Sequence, residues 1–103
     1  MERGTAPPLQ MDVSWEGVVA TVTVTGELDA ATAPGLAGRL MSVAAARPGR
    51  LVLDLGSLVF VDVAGVRALD DAHKALQVRC PVIFRRPRPS ARRSFSLAGR
   101  RED

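Results

Sequence analysis

The sequence predicts a single α/β domain in which helices cover a mixed β-sheet that opens with an antiparallel hairpin. Three observations carry this. Residues 18–25 alternate strictly between apolar side chains and a second face of Val19 and threonines. Two later stretches repeat apolar residues at helical spacing. Between and after them lie short continuous apolar runs at 51–53, 59–61 and 81–84, the first of the kind found in a central strand buried on both faces. A chain of 103 residues is the size of one compact domain, and 47% apolar residues with only 4% aromatic require a core of Val, Leu and Ala.

Residues 1–9, with Pro7-Pro8, predict a loose arm. Gln10–Trp15 predicts a first strand, Glu16-Gly17 a short turn, and Val18–Thr25 a second strand with Val18, Ala20, Val22 and Val24 on one face. Gly26-Glu27-Leu28-Asp29 predicts a loop that ends the sheet. Thr32 is the predicted N-cap of a helix with Pro34 in its first turn and Leu36, Leu40 and Val43 on its buried face, running through Ala46 and stopped by Pro48-Gly49. Leu51–Leu53 and Val59–Val61 predict two short strands. Asp62 then caps a second helix, where its charge suits the positive end of the dipole, with Val66, Leu69, Ala72 or His73, and Leu76 buried. Pro81–Phe84 predicts a last strand. Ser90 caps a short final helix to Leu97, ended by Gly99, with 100–103 as a polar tail. The domain proper is expected over 10–99.

Composition excludes several classes. No apolar run reaches the roughly 20 residues of a membrane span, because Asp54 and Asp62 interrupt the best candidate. The N-terminus has no hydrophobic segment of the kind a signal peptide carries, so a cytoplasmic location is expected. The single cysteine, Cys80, allows neither an internal disulfide nor a cysteine-rich zinc site. Enzyme chemistry finds no support. The only lysine, Lys74, lies within a helix and not in a glycine-rich phosphate loop, one His and one Cys make no transition-metal site, and Ser57, His73 and Asp62 follow no recognised triad spacing. No cofactor is expected.

Three segments resemble the STAS family of sulfate transporter and anti-sigma factor antagonist domains: Gly26-Glu27-Leu28-Asp29-Ala30-Ala31-Thr32-Ala33-Pro34, the run from Leu51 to Asp62, and Gly65-Val66-Arg67-Ala68-Leu69. The resemblance covers about Val13 to Gly99. It implies a STAS-like fold and a protein-binding switch. In the antagonist branch such a domain binds an anti-sigma factor that is also a serine kinase with an ATPase-like fold, and thereby releases a sigma factor. The kinase ends the interaction by phosphorylating a serine in an Asp-Ser-Ser-Gly motif at a helix start, and a metal-dependent phosphatase restores it. Here the motif reads Asp62-Val63-Ala64-Gly65, so Ala64 stands at the acceptor position and cannot be phosphorylated. The resemblance therefore implies an antagonist held in the unphosphorylated-like state, or regulated by other means, with a partner face of Asp29, Thr32, Asp62, Val63, Ala64, Gly65, Val66 and Arg67. Small STAS proteins also serve as soluble subunits of lipid-transport ABC systems, and others bind nucleotides; these are the alternative functions.

Each of these residues also has a plain structural role to fill. Asp62 suits a helix cap, Asp29 a solvated turn, and Gly65 a close approach of loop and helix. Ser57, the nearest hydroxyl to the missing acceptor, fits turn chemistry. His73 fits a packed helix position and Cys80 a buried strand edge. Residues 1–78 carry six basic and nine acidic side chains, whereas 79–103 carry eight and two. The Arg85–Arg93 segment is accordingly a solvated basic face, or one that steers an acidic protein. It lacks interleaved aromatics other than Phe95, so direct DNA binding is not expected. Many family members continue with another strand-like segment and helix, whereas this sequence ends at Asp103. An uncovered sheet edge, marginal stability and self-association are therefore expected.

Overall fold

The computed structural model describes residues 9–86. In chain order the elements are β1 (Leu9–Glu16), β2 (Val19–Leu28), α1 (Ala33–Ala45), β3 (Arg50–Val61), α2 (Val63–Leu76) and β4 (Val82–Arg85). The sheet order is β1-β2-β3-β4. β1 runs antiparallel to β2, while β2, β3 and β4 are parallel. This is the mixed sheet with a leading hairpin that the alternation and the apolar runs predict. The predicted helix 90–97, its ending glycine, and the tail 100–103 lie outside the described residues.

The hairpin turn sits one residue later than predicted. Gly17 and Val18 form it, with Gly17 at φ +62°, and Val18 is two-thirds exposed instead of joining the inward row. A glycine at the first central position is what a type II′ hairpin turn uses. Behind it, Ala20, Val22 and Val24 are fully buried, as the alternation requires. Leu9, placed in the arm from sequence, already pairs with Gly26.

One hydrophobic cluster holds the layers together. It combines the inward residues of β2, β3 and β4 with Leu36, Leu40 and Val43 of α1 and Leu69, Ala72 and Leu76 of α2, so both helices pack on the same sheet face. Each fully buried leucine contributes roughly 1.5–3 kcal/mol relative to exposure. His73 is buried in α2 with its ring edge-on to Phe84, centroids 5.3 Å apart. Val66 is only partly buried; Gly65 takes the fully buried place in that turn. Cys80 is buried, and desolvation pushes its thiol pKa up, consistent with packing and not with an activated thiolate.

The largest departure from the sequence reading is β3. The two predicted strands at 51–53 and 59–61 are one strand of 12 residues. Gly56 and Ser57, read as a break, are inside it. β2 likewise continues through Gly26 to Leu28, where a loop was expected. Both corrections have one cause: the register between β2 and β3 shifts twice, between Thr23/Thr25 and between Gly26/Glu27. These irregularities let each strand carry glycine and polar residues without leaving the sheet.

Candidate functional site

β2 and β3 end side by side, Leu28 opposite Val61, and both chains then turn toward the helix layer at that end of the sheet. Leu28 leads through Asp29–Thr32 into α1, and Val61 leads through Asp62 into α2. Every residue of the Asp29, Thr32 and Asp62–Arg67 set therefore falls at the same end of the domain.

The Asp29–Thr32 turn is held by its own side chains. The Asp29 carboxylate accepts the N–H groups of Ala31 at 2.9 Å and Thr32 at 3.1 Å. The Thr32 hydroxyl donates to the Glu27 carbonyl at 2.9 Å and accepts the Asp29 N–H at 3.0 Å. Thr32 stands at the N-cap position of α1, but its backbone is helical and its side chain makes no cap bond. The expected cap is thus replaced by an Asp turn that begins three residues upstream, in which Thr32 ties the loop back to β2. Asp29 is only partly exposed, so the turn is more enclosed than a solvated aspartate would be.

At α2 the sequence reading holds. Asp62 has extended backbone and its carboxylate accepts the Gly65 N–H at 2.8 Å, closing the first turn as an N-cap. Its own N–H reaches the Leu28 carbonyl at 3.3 Å. Gly65 is buried against that same carbonyl, and a Cβ there would lie 2.4 Å from the Leu28 oxygen. Only glycine allows α2 to start this close to the end of β2. Val63 is 70% exposed, Ala64 and Val66 are partly exposed, and Arg67 is exposed one turn on. The cap therefore presents Val63 outward, leaves Ala64 partly exposed and holds Gly65 inward.

Two features were not read from the sequence. Val59 and Phe60, at the end of β3, are largely exposed although both lie in an apolar run. Asp54, on the sheet face away from the helices, is buried and ion-paired with Arg86, and its carboxylate also accepts the Gly56 N–H at 3.0 Å. Burial pushes the Asp54 pKa up, but the Arg86 hydrogen bond, the Gly56 N–H and the charges of Arg86 and Arg85 outweigh it and hold it below the usual carboxylate value. The exposure of Val59 and Phe60 depends on which way β3 faces after a register shift, and the Asp54 pair depends on a contact with Arg86 beyond the end of β4; neither is visible in composition or spacing.

The site contains no nucleophile paired with a base. An apolar groove of about 400 Å³ between α1 and α2 is lined by alanines of both helices, with Asp71 as its charged lining residue among those described. Among the described residues no cluster of three His, Cys, Asp or Glu side chains could hold a metal, and no helix is long and apolar enough to cross a membrane. What the geometry offers is a surface made of a capped helix start and a cross-braced turn, joined through the Leu28 carbonyl.

Comparison with known proteins gives the family and the fold. Residues 10–102 match the family described as the STAS domain. The fold is similar to an anti-sigma factor antagonist from Mycobacterium paratuberculosis, at 30% identity over 92% of this chain and 82% of that one, with a TM-score of 0.78. It is also similar to the anti-sigma factor antagonist SpoIIAA in its unphosphorylated form, at 18% identity over 91% of this chain and 87% of that one, with a TM-score of 0.72. RsbS from Moorella thermoacetica superposes with a TM-score of 0.74 at 16% identity, over 91% of this chain and 86% of the other. At these lower identities the likeness is one of fold. A comparison with curated proteins gave no match.

Proposed function

The chain belongs to the STAS domain family, and from that premise we propose that it is an anti-sigma factor antagonist: it binds an anti-sigma factor with a serine-kinase-like ATPase fold, in the cytoplasm, and so frees a sigma factor for transcription. The sigma factor is released by competition and is not itself touched. One observation carries the reading. The Asp62 cap and the Gly65–Leu28 contact hold the start of α2 so that Ala64, at the position of the family's acceptor serine, is partly exposed beside the exposed Val63. The 30% identity to the Mycobacterium antagonist supports it.

The mechanism follows from charge. A phosphate on a serine here would add about −1.5 to −2 charges beside Asp62, within a close protein contact. A helix start tolerates that anion on its own, but a docked partner must desolvate it. The Ala64 methyl has no oxygen to accept phosphate, so no phosphate charge is added and the surface stays competent to bind. The antagonist is thereby insensitive to the kinase activity of its own partner.

Incubation with the cognate anti-sigma kinase and ATP, followed by phosphate mapping by mass spectrometry, tests this. Persistent binding with no phosphate at 62–65 is expected. Efficient phosphorylation at a single site that ends binding overturns the locked-state reading.

A further inference from the structure

Strand β3 departs from a two-residue period twice. Its core-facing residues run Leu51, Leu53, Leu55, then Leu58 and Val61. Against β2, Gly26 pairs with Leu58 and Glu27 with Phe60, which leaves Val59 opposite no residue. Bulges are rare between parallel strands, and where they occur they re-aim side chains. This one does so. Val59 is 63% exposed and Phe60 47%, although strict alternation would send two neighbours to opposite faces and bury one of them. With Val63 at 70%, three large apolar residues within five positions are left to solvent at the end of the sheet.

We propose that Val59 and Phe60 form the apolar centre of a docking surface for a protein partner whose matching face is an apolar pocket rimmed by lysine or arginine. Charge complementarity selects that occupant. The exposed Glu27 lies in register with Phe60, and Asp29 and Asp62 follow directly after the two strand ends. Arg67 lies a full turn into α2, and Arg86, which lies against Gly56 of β3, is ion-paired with Asp54. A second copy of the chain would set these carboxylates against one another, and an anionic lipid surface would be repelled by them. The inference rests on the reading that this end of the domain docks an anti-sigma factor, and extends that surface from the helix start onto the strand.

Calorimetric titration of the full chain against each purified kinase-like anti-sigma factor of the source organism tests it. With the far-UV spectrum unchanged, Phe60→Ser weakens binding about tenfold or more, whereas Phe60→Leu keeps most of it. Glu27→Lys weakens binding and lessens its dependence on salt. If the unaltered chain binds and Ala64→Glu abolishes binding, yet Phe60→Ser and Glu27→Lys change nothing, the strand surface is wrong and the proposed function stands. If the unaltered chain binds none of these proteins, both fail. Phe60-dependent dimerisation in light scattering, or Phe60-dependent binding to phosphatidylglycerol vesicles, overturns the assignment of a basic protein partner.

Discussion

Gly65 and Leu28 meet backbone to backbone: a Cβ on Gly65 would stand 2.4 Å from the Leu28 carbonyl oxygen, the same atom that accepts the Asp62 N–H. No side-chain rotation relieves such a contact. Gly65→Ala gains up to about 1 kcal/mol of helix propensity, but forces α2 away from β2. A net destabilisation of about 1–3 kcal/mol is expected, as for other overpacked sites. Urea unfolding reads it, and partner binding falls with it, because the displaced segment carries Val63 and Ala64.

The Asp62 cap separates from that contact by substitution. Asp62→Ala removes the acceptor for the Gly65 N–H and destabilises by about 1 kcal/mol. Asp62→Asn or Asp62→Ser keeps an acceptor and most of the stability. If Asp62 acts only as a cap, all three variants bind in proportion to their folded fraction. If its charge also meets the partner, Asp62→Asn folds normally and binds less well, and calorimetry alongside thermal unfolding distinguishes the two.

Asp54 and Arg86 give the fold a dependence on acid. In the folded chain the Asp54 pKa lies below its ordinary value of 3.8. The stability this supplies is fully present above that value and is lost as pH falls through the lower folded pKa. Asp54→Asn removes that part of the acid sensitivity, so the difference in urea midpoint between about pH 7 and pH 3 shrinks relative to the unaltered chain. Arg86→Ala leaves the buried carboxylate without its guanidinium. Because the Arg86 side chain is 67% exposed, the loss is about 1–2 kcal/mol, below that of a fully buried pair.

Much of this was legible in the sequence, and what was not has a common origin. The inward row Ala20, Val22 and Val24, the leucines of α1, and the Asp62 cap each follow from a period or a single residue's chemistry, and each appears in the structure. β3 does not, because Gly56 and Ser57 look like a turn when read alone. Only the neighbouring strand, through its shifted register, keeps them in the sheet. The same long-range pairing turns Phe60 outward and carries β2 through Gly26 to Leu28. Thr32 stands at the N-cap position, as its place in the sequence suggests, but its side chain caps nothing, for a different reason. A threonine before a helical run is a good N-cap, but here Pro34 offers no N–H, the Gly35 N–H goes to the Thr32 carbonyl, and the Thr32 hydroxyl goes to the Glu27 carbonyl instead. The Ala64 position was legible only through resemblance, since a small residue in the first turn of a helix carries no signal of its own.

A restored hydroxyl probes the central claim most directly. The unaltered chain and Ala64→Ser are each titrated against the cognate anti-sigma kinase, with and without ATP, while phosphate is followed by mass spectrometry. Both chains are expected to bind without ATP. With ATP, the unaltered chain stays bound and unmodified, whereas Ala64→Ser gains one phosphate at that position and dissociates. If Ala64→Ser is never phosphorylated, or is phosphorylated and remains bound as tightly as before, the start of α2 is not the surface that the partner reads.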